Sequence, residues 1–409
     1  MRILLLPFGL AALLLSPLVA PAQPATTTLL PLTLEQAQDF AAARSLEVSA
    51  AQREVDATDG GVLQAGAFRN PELTTTVEDM RSATRTTTTT LGIPIELGGK
   101  RTARVSAAQR SRDVARAELA ETRSRLRASV ISAFFATVNA QERVTLARDS
   151  VDLASRAADV VGKRVTAGKT SPVDATRARV DLVNAELEVG EAQAELQSAR
   201  QTLAALWGDA VPDFGEVVGD ASAAAPEQAT ADLLLQQVDA APALAASRLE
   251  IDRRKALVDV ERSKAVPDMV LTIGARRDNE LGLTQAVVGV SIALPLFDRN
   301  QGGVHEASKR ADQARDEYDA ARIRLMVDVR RAATQLSSAR ASLQTLRETV
   351  LPAAQQVYDA STTGFEAGKF GFLDVIDSRR SLLQARARYL NTLSSAWQAA
   401  TTIDRLLGR

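Results

Sequence analysis

Thr166-Ala167-Gly168-Lys169 returns as Glu366-Ala367-Gly368-Lys369, an offset of 200 residues. At the same offset Asp174 meets Asp374, Arg179 meets Arg379, Leu182 meets Leu382 and Ala185 meets Ala385, and Leu206-Trp207-Gly208 falls on Leu406-Leu407-Gly408. Toward the start of each half the offset slips slightly, bringing Ile93-Pro94-Ile95 onto Leu294-Pro295-Leu296 and Asn70-Pro71 onto Val266-Pro267. Ala-rich sequence produces chance matches, but chance does not preserve their order and spacing along a whole chain. The chain is therefore one structural unit given twice. The expected division is a leader over 1–22, a first repeat over 23–208, a linker over 209–229 and a second repeat over 230–409.

Each repeat carries the same elements in the same order. An amphipathic helix opens it, over about Thr33 to Gln64 and about Thr230 to Lys264, and Pro71 or Pro267 ends the helical pattern. Two strands follow. In the second repeat Met269, Leu271, Ile273 and Ala275 alternate with smaller or polar neighbours, as do Ala286, Val288, Val290, Ile292 and Leu294. In the first, Leu73 to Val77 and the threonine run Thr86 to Thr90 hold the same places; threonine is β-branched and suits a pleated surface.

Long helices come next. Leu336, Leu343, Val350 and Val357 recur every seven residues, with Ala339, Leu346, Ala353 and Ala360 three positions on. A second seam runs through Leu382, Tyr389, Ala396 and Ile403, and the first repeat matches it with Leu182, Val189, Leu196 and Leu203. From about Lys100 to Val165 there is no strong breaker. At 1.5 Å per residue that stretch is ~100 Å long, too long for one element of a compact globule. Alanine on the seams lets neighbouring helices approach closely, as in the wall of a coiled-coil tube.

The first residues read as a targeting segment. Arg2 is the basic start, Ile3 to Val19 the apolar run, and Ala20-Pro21-Ala22 the small-residue pattern for cleavage between Ala22 and Gln23. Beyond it no run reaches the ~20 apolar residues of a membrane helix. With no cysteine in the chain there is no disulfide, no thiolate chemistry and no lipid-modified N-terminal Cys. Lys+Arg 49 against Asp+Glu 50 leaves a net charge of −1, which argues against nucleic acid as a partner. His305 is the single histidine and the methionines are scattered, so no metal site, cofactor site or catalytic constellation is expected.

An exported chain without a membrane helix can cross lipid only as a closed barrel, because every backbone polar group must be satisfied internally. Such barrels need at least ~8 strands, so four close only by joining other copies. The order of strands, long helix, Gly-containing tip and shorter helix, given twice behind a leader, resembles the TolC family of outer-membrane efflux proteins. Leu32-Thr33-Leu34-Glu35-Gln36-Ala37 and Gln64-Ala65-Gly66-Ala67-Phe68-Arg69-Asn70-Pro71-Glu72-Leu73 carry the resemblance. Ile93-Pro94-Ile95-Glu96-Leu97-Gly98-Gly99-Lys100-Arg101 is similar to the branch serving heavy-metal resistance-nodulation-division pumps. The resemblance implies a mostly helical homotrimer with a small β part, a β-barrel in outer-membrane lipid continued by an α-helical duct in the periplasm. It further implies a periplasmic membrane-fusion adaptor and an inner-membrane resistance-nodulation-division pump as partners, with passive conduction, of divalent metal cations in this branch. A drug-efflux or type I secretion duct has the same architecture; a periplasmic coiled-coil adaptor would instead carry a lipoyl-like domain inside one hairpin.

Particular residues acquire roles on this reading. Gly98-Gly99 stands where a strand turns into a helix, and Gly302-Gly303 is expected to do the same in the second repeat. Lys100, Arg101 and Arg104 read as a solvated first turn, with anionic groups at the membrane face as the other possibility. Gly168-Lys169-Thr170-Ser171-Pro172 and Gly368-Lys369-Phe370-Gly371-Phe372 form hairpin tips, where the resemblance places the adaptor. Phe370 and Phe372 are expected to be exposed there. Asp374 and Asp377 share a helix face, and in TolC aspartates at matching positions line the periplasmic entrance. Threefold repetition would make acidic rings that favour cations; the alternative is a local role at the helix N-terminus.

Overall fold

The computed structural model describes residues 30–219 and 229–408, apart from the side chain of Phe372. The leader and its Ala22-Gln23 cleavage site lie outside the described residues. The first repeat contains α1 (Leu34–Arg44), α2 (Leu46–Gly66), β1 (Glu72–Glu78), β2 (Thr86–Ile95), α3 (Lys100–Thr166) and α4 (Pro172–Ala205). The second contains α5 (Ala231–Leu235), α6 (Pro242–Lys264), β3 (Met269–Asp278), β4 (Leu283–Ile292), α7 (Gln301–Thr345), α8 (Leu351–Glu366) and α9 (Phe372–Leu407).

Both opening helices are broken where one continuous helix was expected. Ser45 ends α1 and caps α2, its hydroxyl accepting from the Val48 N–H at 3.5 Å. In the second repeat Pro242 starts α6 and holds Ala241 extended, so the chain before it forms only α5 and one short 3₁₀ turn. The segment after α4 is no free tether. Phe214 and Val217 are buried beside Leu32, Phe134 and Val138, and the Gln141 amide both accepts from Val217 N at 2.8 Å and donates to its carbonyl at 3.0 Å.

The hairpin helices are as long as the spacing predicts. α3 runs unbroken for 67 residues, ~100 Å. Its counterpart does not. Residues Leu346–Val350 form a single π-helical turn between α7 and α8. Pro352 explains it: proline offers no N–H, and its ring would strike the carbonyl of Glu348 in a regular helix, so the turn widens to let it pass. The first repeat has Asp152 at the matching position and stays regular α-helix there.

One antiparallel sheet, ordered β1-β2-β3-β4, unites the two repeats. Directly paired residues share a face, and faces alternate along each strand. Leu73, Leu91, Ile273 and Val288 thus line up across all four strands, with Ile93, Leu271 and Val290, and then Ile95, Met269 and Ile292, in the next rows. The opposite face carries Thr74, Thr76, Thr88, Thr90, Gly92, Thr272, Gly274, Gln285, Gly289 and Ser291. One face is apolar and outward, and Val288 and Val290 are 75% and 61% exposed on it. The other is mostly small or hydroxylated, with Val270, Val287 and Arg276 among its residues. Pro94 lacks an N–H for a ladder but sits beyond the end of β1, at the uncovered side of β2.

Below the sheet an ion cluster ties both repeats to the helix starts. Arg104 forks onto Glu96, Arg69 lies 3.3 Å from both Glu96 and Asp268, and Lys100 donates to Asp268 at 2.5 Å. Lys100 and Arg104 are therefore neither a solvated first turn nor free for an anionic partner, and the Arg101 guanidinium covers the Phe68 ring at 4.3 Å. The Arg104 hydrogen bond holds Glu96 below its ordinary pKa. Burial pushes Asp268 upward, but the Lys100 hydrogen bond and charge outweigh it and hold it low. Gly98 and Gly99 precede α3 with φ of 69° and 71°. In the second repeat the left-handed residue is Asn300, φ 58°, which caps α7 and donates to the Glu261 carboxylate at 2.7 Å. Gly302 and Gly303 lie inside the first turn of α7, so the expected glycine turn there is an asparagine turn.

Two outcomes follow. A Cβ on Gly98 would lie 2.5 Å from Val266, whereas one on Gly99 meets nothing. Gly99→Ala should cost the left-handed backbone penalty of about 1–2 kcal/mol, and Gly98→Ala distinctly more, read as denaturation midpoints in detergent. Carboxylates with depressed native pKa values stabilise above their unfolded pKa and lose that contribution as pH falls through the native one. Stability should decline below the ordinary carboxylate range, and Glu96→Gln should flatten that decline while lowering stability at neutral pH.

Candidate functional site

The two hairpins end farthest from the sheet, and their tips are built alike. At the first, the Gly168 N–H donates to Val165 O and the Lys169 N–H to Arg164 O, both at 2.9 Å. At the second, Gly368 donates to Phe365 O at 2.9 Å and Lys369 to Gly364 O at 2.8 Å. Both glycines are left-handed, with φ of 68° and 72°. Each α-helix thus stops in a Schellman motif and reverses within a few residues.

The restarts differ. Ser171 caps α4 by accepting from Val173 N at 3.2 Å, with Pro172 as first helical residue and Thr170 just before the cap. At the second tip Gly371 has no side chain, and its N–H donates instead to Asp374 Oδ2 at 2.8 Å. Asp374 therefore does serve the helix N-terminus. It and Asp377 are nonetheless both exposed, while Val375, Ser378 and Arg379 face inward. On α4 the matching pair is Asp174 and Arg177, 3.9 Å apart. Phe370 is 50% exposed, its other side lying on Gly364, where any Cβ would meet the ring. Phe372 opens α9, and its side chain lies outside the description.

Two arginines that sequence reading did not single out lock the hairpins together. Arg164 leaves the end of α3 and donates to Phe365 O at 2.6 Å, with its guanidinium 4.0 Å above the Phe365 ring. Arg379, 6% exposed, reaches from α9 to bond Asp181 on α4 and donates to Ser150 O on α3 at 3.3 Å. Its repeat mate Arg179 is exposed on α4. One departure from the repeat was visible: Asp181, the acid that receives Arg379, falls on Ser381 at the 200-residue offset.

Along the helices above the tips, a groove follows the face of α3 between α4 and α9. Near the tips it is lined by Asp181, Asn184, Glu188, Glu191, Arg380 and Gln384. Farther up it is lined by Ser129, Ser132, Ala136, Thr202, Thr402 and Arg405. The opposite face of α3, with Val130, Phe134 and Val138, is covered by α1 and the strap through Phe214. This uncovered side of the wall is mixed, its polar side chains interleaved with alanine and with Leu146, Leu206 and Leu383. Among the described residues no three His, Cys, Asp or Glu side chains are grouped to hold a metal ion, and no helix is long and apolar enough to cross a membrane.

A sheet with one apolar outward face, prolonged by a wall of paired long helices with a partly polar side, matches a known family. The model of the outer membrane efflux protein family fits this chain twice, over residues 38–209 and 233–409. The chain belongs to the outer membrane efflux protein family. It is 53% identical to the cobalt-zinc-cadmium resistance protein CzcC of Cupriavidus metallidurans, over the whole of both chains. It is 31% identical to the nickel and cobalt resistance protein CnrC of the same organism, covering 74% of this chain and 72% of that one. Among solved structures, the outer membrane protein VceC of Vibrio cholerae superposes with a TM-score of 0.77 at 21% identity, covering 92% of this chain and 96% of that one. CusC superposes with a TM-score of 0.78 at 17% identity, covering 93% of each chain. The chain is an outer-membrane efflux duct and not an enzyme. It belongs in the outer membrane, with its long helices as the periplasmic extension.

Removing one member of the Arg379–Asp181 pair strands the other. Because Asp181 is partly exposed, Arg379→Met should cost about 2–3 kcal/mol, below the usual 3–5 for a fully buried pair. Double-mutant cycles with Asp181→Asn should return a coupling of at least about 1 kcal/mol, whereas the same cycle on exposed Arg310 and Glu306 should return about 0.5 kcal/mol or less.

Proposed function

We propose that this protein is the exit duct of a tripartite pump that clears divalent transition-metal cations of the cobalt, zinc and cadmium type. Three copies each contribute four strands to one barrel, and the six hairpins continue it as a tube through the periplasm. The full-length 53% identity to a protein named for cobalt-zinc-cadmium resistance carries the substrate class. The open edges of β1 and β4 support the oligomer, since an apolar sheet in lipid cannot leave a row of backbone groups unpaired.

The tips meet the periplasmic adaptor of an inner-membrane resistance-nodulation-division pump. Gly168 to Pro172 and Gly368 to Phe372 are the outermost turns of the hairpins and display Lys169, Lys369 and the half-exposed Phe370. Asp374 and Asp377 stand immediately inside the second tip. Repeated three times, they make an acidic collar at the entrance that concentrates cations and repels anions. Conduction is passive, with the choice among cations left to the pump.

Loss of the gene should raise sensitivity to cobalt, zinc and cadmium, with no change toward bulky organic toxins; the reverse pattern would overturn the substrate class. In planar bilayers, Asp374→Asn with Asp377→Asn should lower cation over anion selectivity while leaving the heat-sensitive oligomer intact. Unchanged selectivity would remove the collar from the entrance.

A further inference from the structure

The apolar face of the sheet is too short for the membrane it serves. On β4 it runs from Ala286 to Ile292, and the paired rows on β3 from Ala275 to Met269. Six steps of ~3.4 Å make about 20 Å along the strand. At a tilt of ~40° that is about 15 Å of height, against the ~25 Å apolar band of an outer-membrane barrel. At the loop end the next row is polar, Arg277 opposite Thr284 and Thr87. The missing height lies at the periplasmic end.

Beyond Ile292 the outward alternation continues through Leu294 and Leu296, which are 75% and 66% exposed, and Phe297 follows at 92%. This segment is not a strand, and part of its backbone is bonded within it. Leu296 N–H donates to Leu294 O at 2.9 Å, Arg299 Nε to Pro295 O at 3.3 Å and Gln301 Nε2 to Phe297 O at 3.3 Å. The Arg299 N–H is taken by Gln301 Oε1 at 2.9 Å, and the Asn300 N–H by Asp298 Oδ1 at 2.8 Å. Large bare side chains on a partly self-bonded turn suit a membrane boundary, where irregular chain is excluded from the hydrocarbon but tolerated among headgroups.

We propose that Leu294, Leu296 and Phe297 form a wedge that dips into the inner leaflet of the outer membrane and completes the apolar band. The proposal rests on the sheet being part of a membrane barrel, and the occupant is lipid because the wedge continues the lipid face of β4 in register. Three copies would place three wedges around the barrel's lower rim, fixing the depth at which the helical tube hangs.

Because the chain has no cysteine, Phe297→Cys in the full-length protein gives a single site for a nitroxide label. Leu296→Cys serves as a second variant, and Val290→Cys as the mid-band control. In phosphatidylethanolamine/phosphatidylglycerol vesicles the label at 297 should collide freely with dissolved oxygen and several-fold less with a water-soluble nickel chelate, as at 290. Frequent nickel collisions at 296 and 297, with 290 protected, would place the segment in water and overturn the wedge while the barrel stands. Few collisions with either agent would mean that a neighbouring copy covers it, which also overturns the proposal. Nickel access at 290 itself would overturn the barrel reading beneath it.

Discussion

Backbone hydrogen bonds that a single chain cannot complete govern this molecule. The four-stranded sheet pairs fully inside itself, but β1 and β4 each turn an unpaired row of N–H and C=O groups outward. In water such edges are an aggregation hazard; in lipid each unpaired group costs several kcal/mol. Joining further copies edge to edge removes both problems. The faces suit that closure, one carrying aliphatic rows and the other mostly threonine, glycine and serine. Gly274 shows how little room the paired strands leave: a Cβ there would overlap the Thr89 carbonyl.

The sheet would be of little use if the helices below it could swivel. The strand-to-helix junctions are accordingly tied by a cluster of ion pairs. Glu96, Arg104, Arg69, Asp268 and Lys100 come from both repeats and converge within salt-bridge reach, so the direction of α3 is fixed against the start of β3. At the far end the same task falls to Arg164 and Arg379, each crossing from one hairpin to the other. Between these ends, seams of alanine with leucine or valine, such as Ala178, Ala185 and Ala192, hold helices close without specifying a rigid lock. Charge is used where direction matters, and small apolar packing where length matters.

Most of the architecture was legible because it is periodic. The duplication, the heptads and the alternation of β3 and β4 are written in residue type at fixed intervals. What escaped depends on single residues without a period. Ser45 splits the opening helix by capping both sides, and Pro242 resets the second. Asn300 occupies the left-handed position that the glycine pair 302–303 was expected to fill, because its side chain also bonds Glu261. The lysine and arginines after Gly99 read as exposed because their partner Asp268 lies 168 residues from Lys100. Long-range charge pairs of this kind leave no local mark. Arg379 and Arg179 coincide in the alignment of repeats yet occupy opposite environments, since nothing in one residue's identity tells which side of a helix its neighbours will cover.

The widened turn at Leu346–Val350 has a mechanical meaning for the assembled tube. A wall of six hairpins made from duplicated sequence would flex equally at every stave. Here one stave in each pair is an unbroken α-helix of 67 residues, while its twin is interrupted by a π-helical turn beside Pro352. In the proposed assembly unbroken and widened staves then alternate around the circumference. The two staves of a pair thus differ by one turn of backbone, and the three copies proposed above would repeat that difference three times around the tube.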